Sequence, residues 1–198
     1  AGKWTYTYHE RLFAYCPTAD LRNSQSRRPF SKVNQIDYIV DALTACDYSR
    51  RAQAITWMPT ADPQTDDPPC LQRIWCRLVR DGQGDYVLNM NTHWRSRDLY
   101  KAWFMNVYAL TDLQRIMAGR IAERIDSPVR VGRYVDISDS LHIYGSYLKD
   151  AAVEVEKMRN TPFHQRAWES TYPAFAYMTE QARQNLSQDP DWYARAKQ

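Results

Sequence analysis

The sequence predicts an α+β fold: a mixed sheet with a long buried central helix and further helices flanking it. Three observations lead to this class. Leu71–Arg80 and Tyr86–Trp94 are rich in β-branched, aromatic and long side chains, and the turn residues Asp81, Gly82, Gly84 and Asp85 between them mark an antiparallel return. Residues 34–45 carry Ile36, Ile39, Val40 and Leu43 at helical spacing, and residues 98–125 form a long, mostly apolar run without proline. Strands and helices do not alternate strictly, which favours α+β over a doubly wound sheet.

Taken in order, residues 4–12 alternate aromatic and Thr side chains and read as a short strand or extended entry. Residues 17–32, rich in Ser, Arg, Asn and Pro, read as a mobile loop. Asn34 is placed to cap the helix over 34–45. Residues 51–58 read as a strand and 60–69 as a Pro/Asp loop whose last residues, Pro68 and Pro69, hold the approach to Cys70 extended. The helix over 98–125 has its one candidate break at Gly119, and apolar side chains on several of its sides imply burial. Residues 133–144 read as another strand, and 146–186 as mostly helical with a break at Thr161-Pro162.

The 198 residues are expected to form a single domain, and 44% apolar with 13% aromatic content excludes a disordered chain. No apolar run approaches the ~20 residues of a membrane span, and nothing resembles a signal peptide. A net charge of +3 with the signs interspersed argues against nucleic-acid coating and suits a small anionic ligand met by a few arginines. The cysteines at 16, 46, 70 and 76 form no C-x-x-C pair and read as reduced thiols of a cytoplasmic protein, Cys46 and Cys76 as small buried hydrophobes. No His spacing fits zinc, and no metal is expected.

Chemistry concentrates in one stretch. Cys70 supplies a soft nucleophile, Arg95-Ser96-Arg97-Asp98 a phosphate-binding cation, and Asn106 an amide able to read a base edge. Taken singly, each has a plainer role: Arg50-Arg51 a solvated pair, Asp98 a helix cap, His142 and Tyr144 a polar pair on one strand face. Trp57, Trp75, Trp94 and Trp103 read as packing residues of the core or of a dimer.

Together these residues resemble thymidylate synthase and its pyrimidine nucleotide hydroxymethylase relatives, in a divergent form, over residues 8 to about 149. Five motifs occur in the family's order: Arg50-Arg51 at the end of the segment from Tyr38, Pro68-Pro69-Cys70, Arg95-Ser96-x-Asp98, Asn106, and His142-x-Tyr144. The resemblance implies that Cys70 adds to C6 of a pyrimidine nucleoside monophosphate, making C5 nucleophilic toward a one-carbon unit from 5,10-methylenetetrahydrofolate. It assigns phosphate to Arg95 and Ser96, folate to Asp98, the base edge to Asn106 and the sugar 3′-hydroxyl to His142 and Tyr144. Arg50 and Arg51 would reach the nucleotide phosphate of a partner, hence a homodimer, with no membrane and no obligate nucleic-acid partner. Arg95 and the substrate-binding arginines are expected to lower the Cys70 pKa. Methylation of dUMP to dTMP is the first reaction implied; hydroxymethylation of dUMP, dCMP or CMP, and a non-catalytic nucleotide- or RNA-binding relative, are the alternatives. Asn106 accepts from uracil N3-H in one flip and donates to cytosine N3 in the other, with the absence of an Asp leaning toward uracil.

The chain also departs from the family pattern. Leu71 follows the nucleophile where the family has His, and Trp94 precedes the Arg-Ser motif where it has Gln. Ala102-Trp103-Phe104-Met105 replaces Gly-x-Pro-Phe, and Asp139-Ser140-Leu141 replaces the Gly-Asp-Ala before the His-x-Tyr pair. The family's N-terminal segment, with its general-acid Glu and first phosphate arginine, is expected to be absent, and Glu10 matches no motif that would replace that Glu.

Overall fold

In the computed structural model, which describes residues 6–16, 31–166 and 173–188, the first described element is a helix where a short strand or extended entry was expected. Helix α1 spans Tyr8–Phe13 because Thr7 acts as its cap, its hydroxyl accepting the Glu10 N–H at 3.0 Å. The alternation of aromatic and Thr residues mimics a strand, but the local cap decides. The loop expected over 17–32 falls largely outside the described residues.

Helix α2, Gln35–Ala45, forms as its spacing predicts, with the Asn34 carbonyl oxygen Oδ1 accepting the N–H groups of Ile36 and Asp37. Its apolar stripe, Ile36, Ile39, Val40 and Leu43, is fully buried. Strand β1 is short, Gln53–Ile55, and a 3₁₀ turn at Asp62–Gln64 interrupts the Pro/Asp loop. β2 (Leu71–Arg80) and β3 (Tyr86–Trp94) pair antiparallel, with Leu71 opposite Trp94 and Arg80 opposite Tyr86. The two-residue β4, Arg97–Asp98, precedes helix α3, Ala102–Ile125, which runs unbroken through Gly119 and ends at Asp126 with φ 50°.

α3 is long, but it buries one face and not several. Leu110, Gln114, Met117, Ala118 and Ile121 face the core, whereas Phe104, Met105, Tyr108 and Ile116 are exposed. The expected buried central helix is therefore a one-faced helix laid on a sheet. β5 occupies Val129–Ser138, starting and ending earlier than the expected 133–144, and a separate two-residue β6, Leu141–His142, follows.

The main sheet has the order β1-β2-β3-β5, antiparallel except for the β3–β5 pair, which is parallel because α3 carries the chain across as the crossover. Helices α2 and α3 pack on one sheet face, where Ile74, Cys76, Leu78, Leu88 and Met90 meet them in the core. At Gly132 the strands come so close that a Cβ would lie 2.9 Å from the Leu88 carbonyl oxygen and closer still to Asn89 and Val87. A second, two-stranded parallel sheet joins β4 to β6.

These elements belong to a compact unit, Ala1–Tyr147, and a second unit covers Leu148–Gln198. The second holds α4 (Leu148–Asn160), α5 (Phe163–Arg166) and α6 (Pro173–Gln188), with the expected break at Thr161-Pro162. None of the four cysteines forms a disulfide; Cys76 is buried, while Cys46 is only half-buried. Among the described residues no helix is long and apolar enough to cross a membrane.

Candidate active site

The hairpin register builds the centre of the site. With Leu71 opposite Trp94, the residues just outside the ladder, Cys70 and Arg95, meet, and the Arg95 N–H donates to the Cys70 carbonyl at 2.9 Å. The Arg95 guanidinium wraps the nucleophile loop. Nε donates to the Pro69 carbonyl (3.0 Å) and Nη2 to the Pro68 carbonyl (2.5 Å), which places Nη2 3.7 Å from Cys70 Sγ. Prolines suit this arrangement because they hold the loop extended with both carbonyls free to accept.

Tyr8 completes the loop, and no motif pointed to it. Its hydroxyl accepts the N–H groups of Cys70 and Leu71, each at 3.2 Å, and its ring meets Trp94 edge-on at a centroid distance of 5.8 Å. Tyr6 lies beside it, ring centroids 5.9 Å apart. Burial raises the pKa of both phenols, so they stay protonated at neutral pH.

The Cys70 thiol does not follow the expectation of a lowered pKa. Burial pushes it up; Arg95 pulls it down, Asp67 raises it, and Arg97 and a hydrogen bond from the Tyr8 hydroxyl lower it, with a net upward direction. The correction has a plain cause. A half-buried sulfur loses more hydration than the neighbouring guanidinium groups return.

The small β4–β6 sheet joins two further motifs. Arg97 pairs with Leu141 and Asp98 with His142, the Arg97 N–H donates to Ser140 at 2.8 Å and the Leu99 N–H to His142 at 2.9 Å. The Arg95-Ser96-x-Asp98 segment thus runs beside the His142-x-Tyr144 segment. The rings of His142 and Tyr144 meet edge-on at 4.9 Å, and Ser96 is half-buried. Asp98 fills the plain role of a local cap, Oδ1 accepting the N–H groups of Tyr100 (3.0 Å) and Lys101 (3.3 Å). Its Oδ2 makes no bond among the described residues, so a ligand N–H has an acceptor there.

Asn106 is tied to this group through the chain: α3 follows β4 after Leu99, Tyr100 and Lys101, and Asn106 is half-buried near the start of α3. Arg50 and Arg51 are not brought to Cys70. Both are exposed, and the Arg50 carbonyl accepts Trp75 Nε1 at 3.2 Å. Trp75 stands five positions along the chain from Cys70, roughly 17 Å at strand rise. Of the tryptophans, Trp94 is a core residue at 1% exposure, whereas Trp103 is exposed. No group of three or more His, Cys, Asp or Glu suited to a metal occurs among the described residues.

The thymidylate synthase family model matches residues 6–180, which takes in every motif above. A protein of Methanocaldococcus jannaschii described as "Putative thymidylate synthase" is 35% identical over 146 residues, 71% of this chain and 56% of that protein. Proteins with the same description from Methanothermobacter marburgensis (35% over 148 residues, 75% and 55%) and Methanosarcina acetivorans (31% over 144 residues, 73% and 55%) are similar to it as well. The chain belongs to the thymidylate synthase family. It spans about half the length of the curated relatives it matches.

Proposed function

We propose that this chain carries the nucleophile and the nucleotide-binding core of an enzyme that transfers a one-carbon unit to C5 of a pyrimidine nucleoside monophosphate, with dUMP to dTMP the leading reaction. The observation that carries the proposal is the Arg95 guanidinium, 3.7 Å from Cys70 Sγ and anchored on the two prolyl carbonyls of the same loop. A cation fixed there does two things: it offers a nucleotide phosphate a partner beside the sulfur, and it favours the thiolate over the thiol.

The residues divide the work. Cys70 Sγ adds to C6 of the ring as a thiolate, and the electron pair displaced from the C5–C6 bond makes C5 nucleophilic. Arg95 and Ser96 hold the phosphate, and His142 with Tyr144 the sugar hydroxyl, so that binding energy remote from the ring fixes C6 over the sulfur. With its pKa pushed up by burial, the Cys70 thiol must lose its proton before it can add. Asn106 reads the base edge. Asp98 fits 5,10-methylenetetrahydrofolate through its open Oδ2, with the exposed Trp103 and Phe104 on the helix that follows; when bound, that group supplies the one-carbon unit.

The exposed Arg50 and Arg51 make no ion pair among the described residues and lie far from Cys70, which fits donation to a second copy's phosphate in a homodimer. The outer sheet face, with Ile55 and Ile137 exposed and Trp75 half-exposed, offers apolar area for such a contact. Four cysteines held as thiols suit a cytoplasmic, reducing setting.

Hydroxymethylation of dUMP, dCMP or CMP uses the same residues and differs in whether water reaches the ring late in the cycle. The upward-shifted thiol favours a third reading, a nucleotide-binding relative without turnover. Incubating the protein with each nucleotide and methylenetetrahydrofolate, then weighing the product, separates them. A gain of a methyl group together with dihydrofolate supports the leading reaction; a hydroxymethyl product without dihydrofolate supports the second; nucleotide bound and unchanged supports the third.

A further inference from the structure

Arg97, the variable position of the Arg-Ser-x-Asp motif, is a cation sealed inside the site. It is 2% exposed, and its guanidinium carbon lies 3.4 Å from the centre of the Trp94 ring. Nη2 donates to Asp136 Oδ2 at 2.5 Å, while Nε and Nη1 have no hydrogen-bond partner among the described residues. Asp136 in turn accepts the hydroxyls of Tyr134 (3.2 Å) and Ser138 (3.0 Å). Burying a guanidinium with two of its nitrogens unpaired is costly. The backbone of β4 does not require it, because the Arg97 N–H bond to Ser140 would form with any residue except proline.

The contacts place Arg97 close to the nucleophile loop: it covers Trp94, Trp94 meets Tyr8, and the Tyr8 hydroxyl holds the N–H groups of Cys70 and Leu71. From there its charge favours the Cys70 thiolate in the same sense as that of Arg95. Asp136, bonded to Arg97 and 12% exposed, offsets part of that charge.

We propose that Arg97 acts on Cys70 through its charge and that the Arg97–Asp136 pair sets the field at the sulfur, the carboxylate limiting how strongly the cation is felt there. The proposal rests on the reading of Cys70 as nucleophile, yet its test needs neither nucleotide nor turnover. The other groups facing Cys70 are Arg95, Asp67, Tyr8 and Tyr6, and all four are left unchanged in each variant below.

The test is the pH dependence of alkylation of Cys70 by iodoacetamide, followed by peptide mass so that Cys16, Cys46 and Cys76 do not contribute. Arg97→Met should move the midpoint to higher pH and slow the reaction at neutral pH by about two- to fourfold. Asp136→Asn should move it to lower pH and speed the reaction by a similar factor; the change in thiolate fraction is partly offset by the opposite change in nucleophilicity. Arg97→Lys, which keeps the charge and loses the stack, should stay within about twofold of the wild type. Opposite signs for the first two variants are the signature of charge, because loosened packing would move both the same way. Shifts of the same sign, or no shift in either, overturn the proposal. Should Arg97→Met not fold, Asp136→Asn and Arg97→Lys decide it: a slower or unchanged Asp136→Asn refutes, and so does an Arg97→Lys slowed beyond twofold. If the signs come out opposite while Cys70→Ala still transforms substrate, the catalytic reading fails and the charge relation stands.

Discussion

Tyr8→Phe removes one oxygen and leaves the ring against Trp94. That oxygen accepts two backbone N–H groups, those of Cys70 and Leu71, at 3.2 Å each. Both bonds sit at the long end of the usual range, and the loop is half-buried, so water can replace part of what is lost. A fully buried donor left unpaired costs roughly 1–3 kcal/mol. Two weak, half-buried bonds should therefore cost about 1–2 kcal/mol together, or roughly 2–8 °C in Tm for a chain of this size. Urea and thermal melts give the stability. The alkylation rate of Cys70 reports the loop itself, and it should change in this variant while the rates of Cys16 and Cys46 do not. A stability within about 0.3 kcal/mol of the wild type, with unchanged alkylation, would refute the assignment of Tyr8 as the anchor of the nucleophile loop.

Gly132→Ala should destabilise by about 1–3 kcal/mol through overpacking, because its Cβ meets the Leu88 carbonyl at 2.9 Å and crowds Asn89 and Val87 where the β3–β5 register shifts; an unchanged urea midpoint would show that the strands open there freely. Alkaline pH should also destabilise the fold. Burial pushes the Cys76 thiol up to about 12 and raises Cys70 as well, so both bind their protons more tightly folded than unfolded. Their contribution is full below the unfolded thiol value of about 8.5 and is lost as pH rises through the folded values, at up to ~1.4 kcal/mol per pH unit for each thiol. Urea midpoints measured across that range should fall, and fall less in Cys76→Ala; a flat profile would contradict the burial.

What was legible in the sequence was local. The Asn34 cap and the stripe Ile36, Ile39, Val40, Leu43 defined α2 because both signals lie within the helix itself. The pairing of Cys70 with Arg95 could be anticipated because one tight hairpin fixes it: once Leu71 faces Trp94, the flanking residues must meet. α1 was hidden since Tyr6, Thr7 and Tyr8 imitate a strand, and only the Thr7 hydroxyl bond to Glu10 tips the balance. The burial of α3 was overread because apolar composition does not tell which side meets the sheet, and Phe104, Met105 and Tyr108 face outward. Tyr8 could not be found from spacing, being 62 residues from the amide it binds. The direction of the Cys70 shift was equally out of reach: the opposing charges are visible in the sequence, while the burial that outweighs them exists only in the folded unit. The same holds for Arg97, whose neighbours Trp94 and Asp136 come together through the sheet.

The addition of Cys70 to the pyrimidine ring is tested most directly by tritium release from C5-labelled dUMP, compared between the wild type and Cys70→Ala. Addition of the sulfur at C6 is what loosens the C5 hydrogen, so the wild type should release tritium into water in the presence of folate and Cys70→Ala should release none above the uncatalysed background. Equal release by both proteins would contradict a covalent role for Cys70.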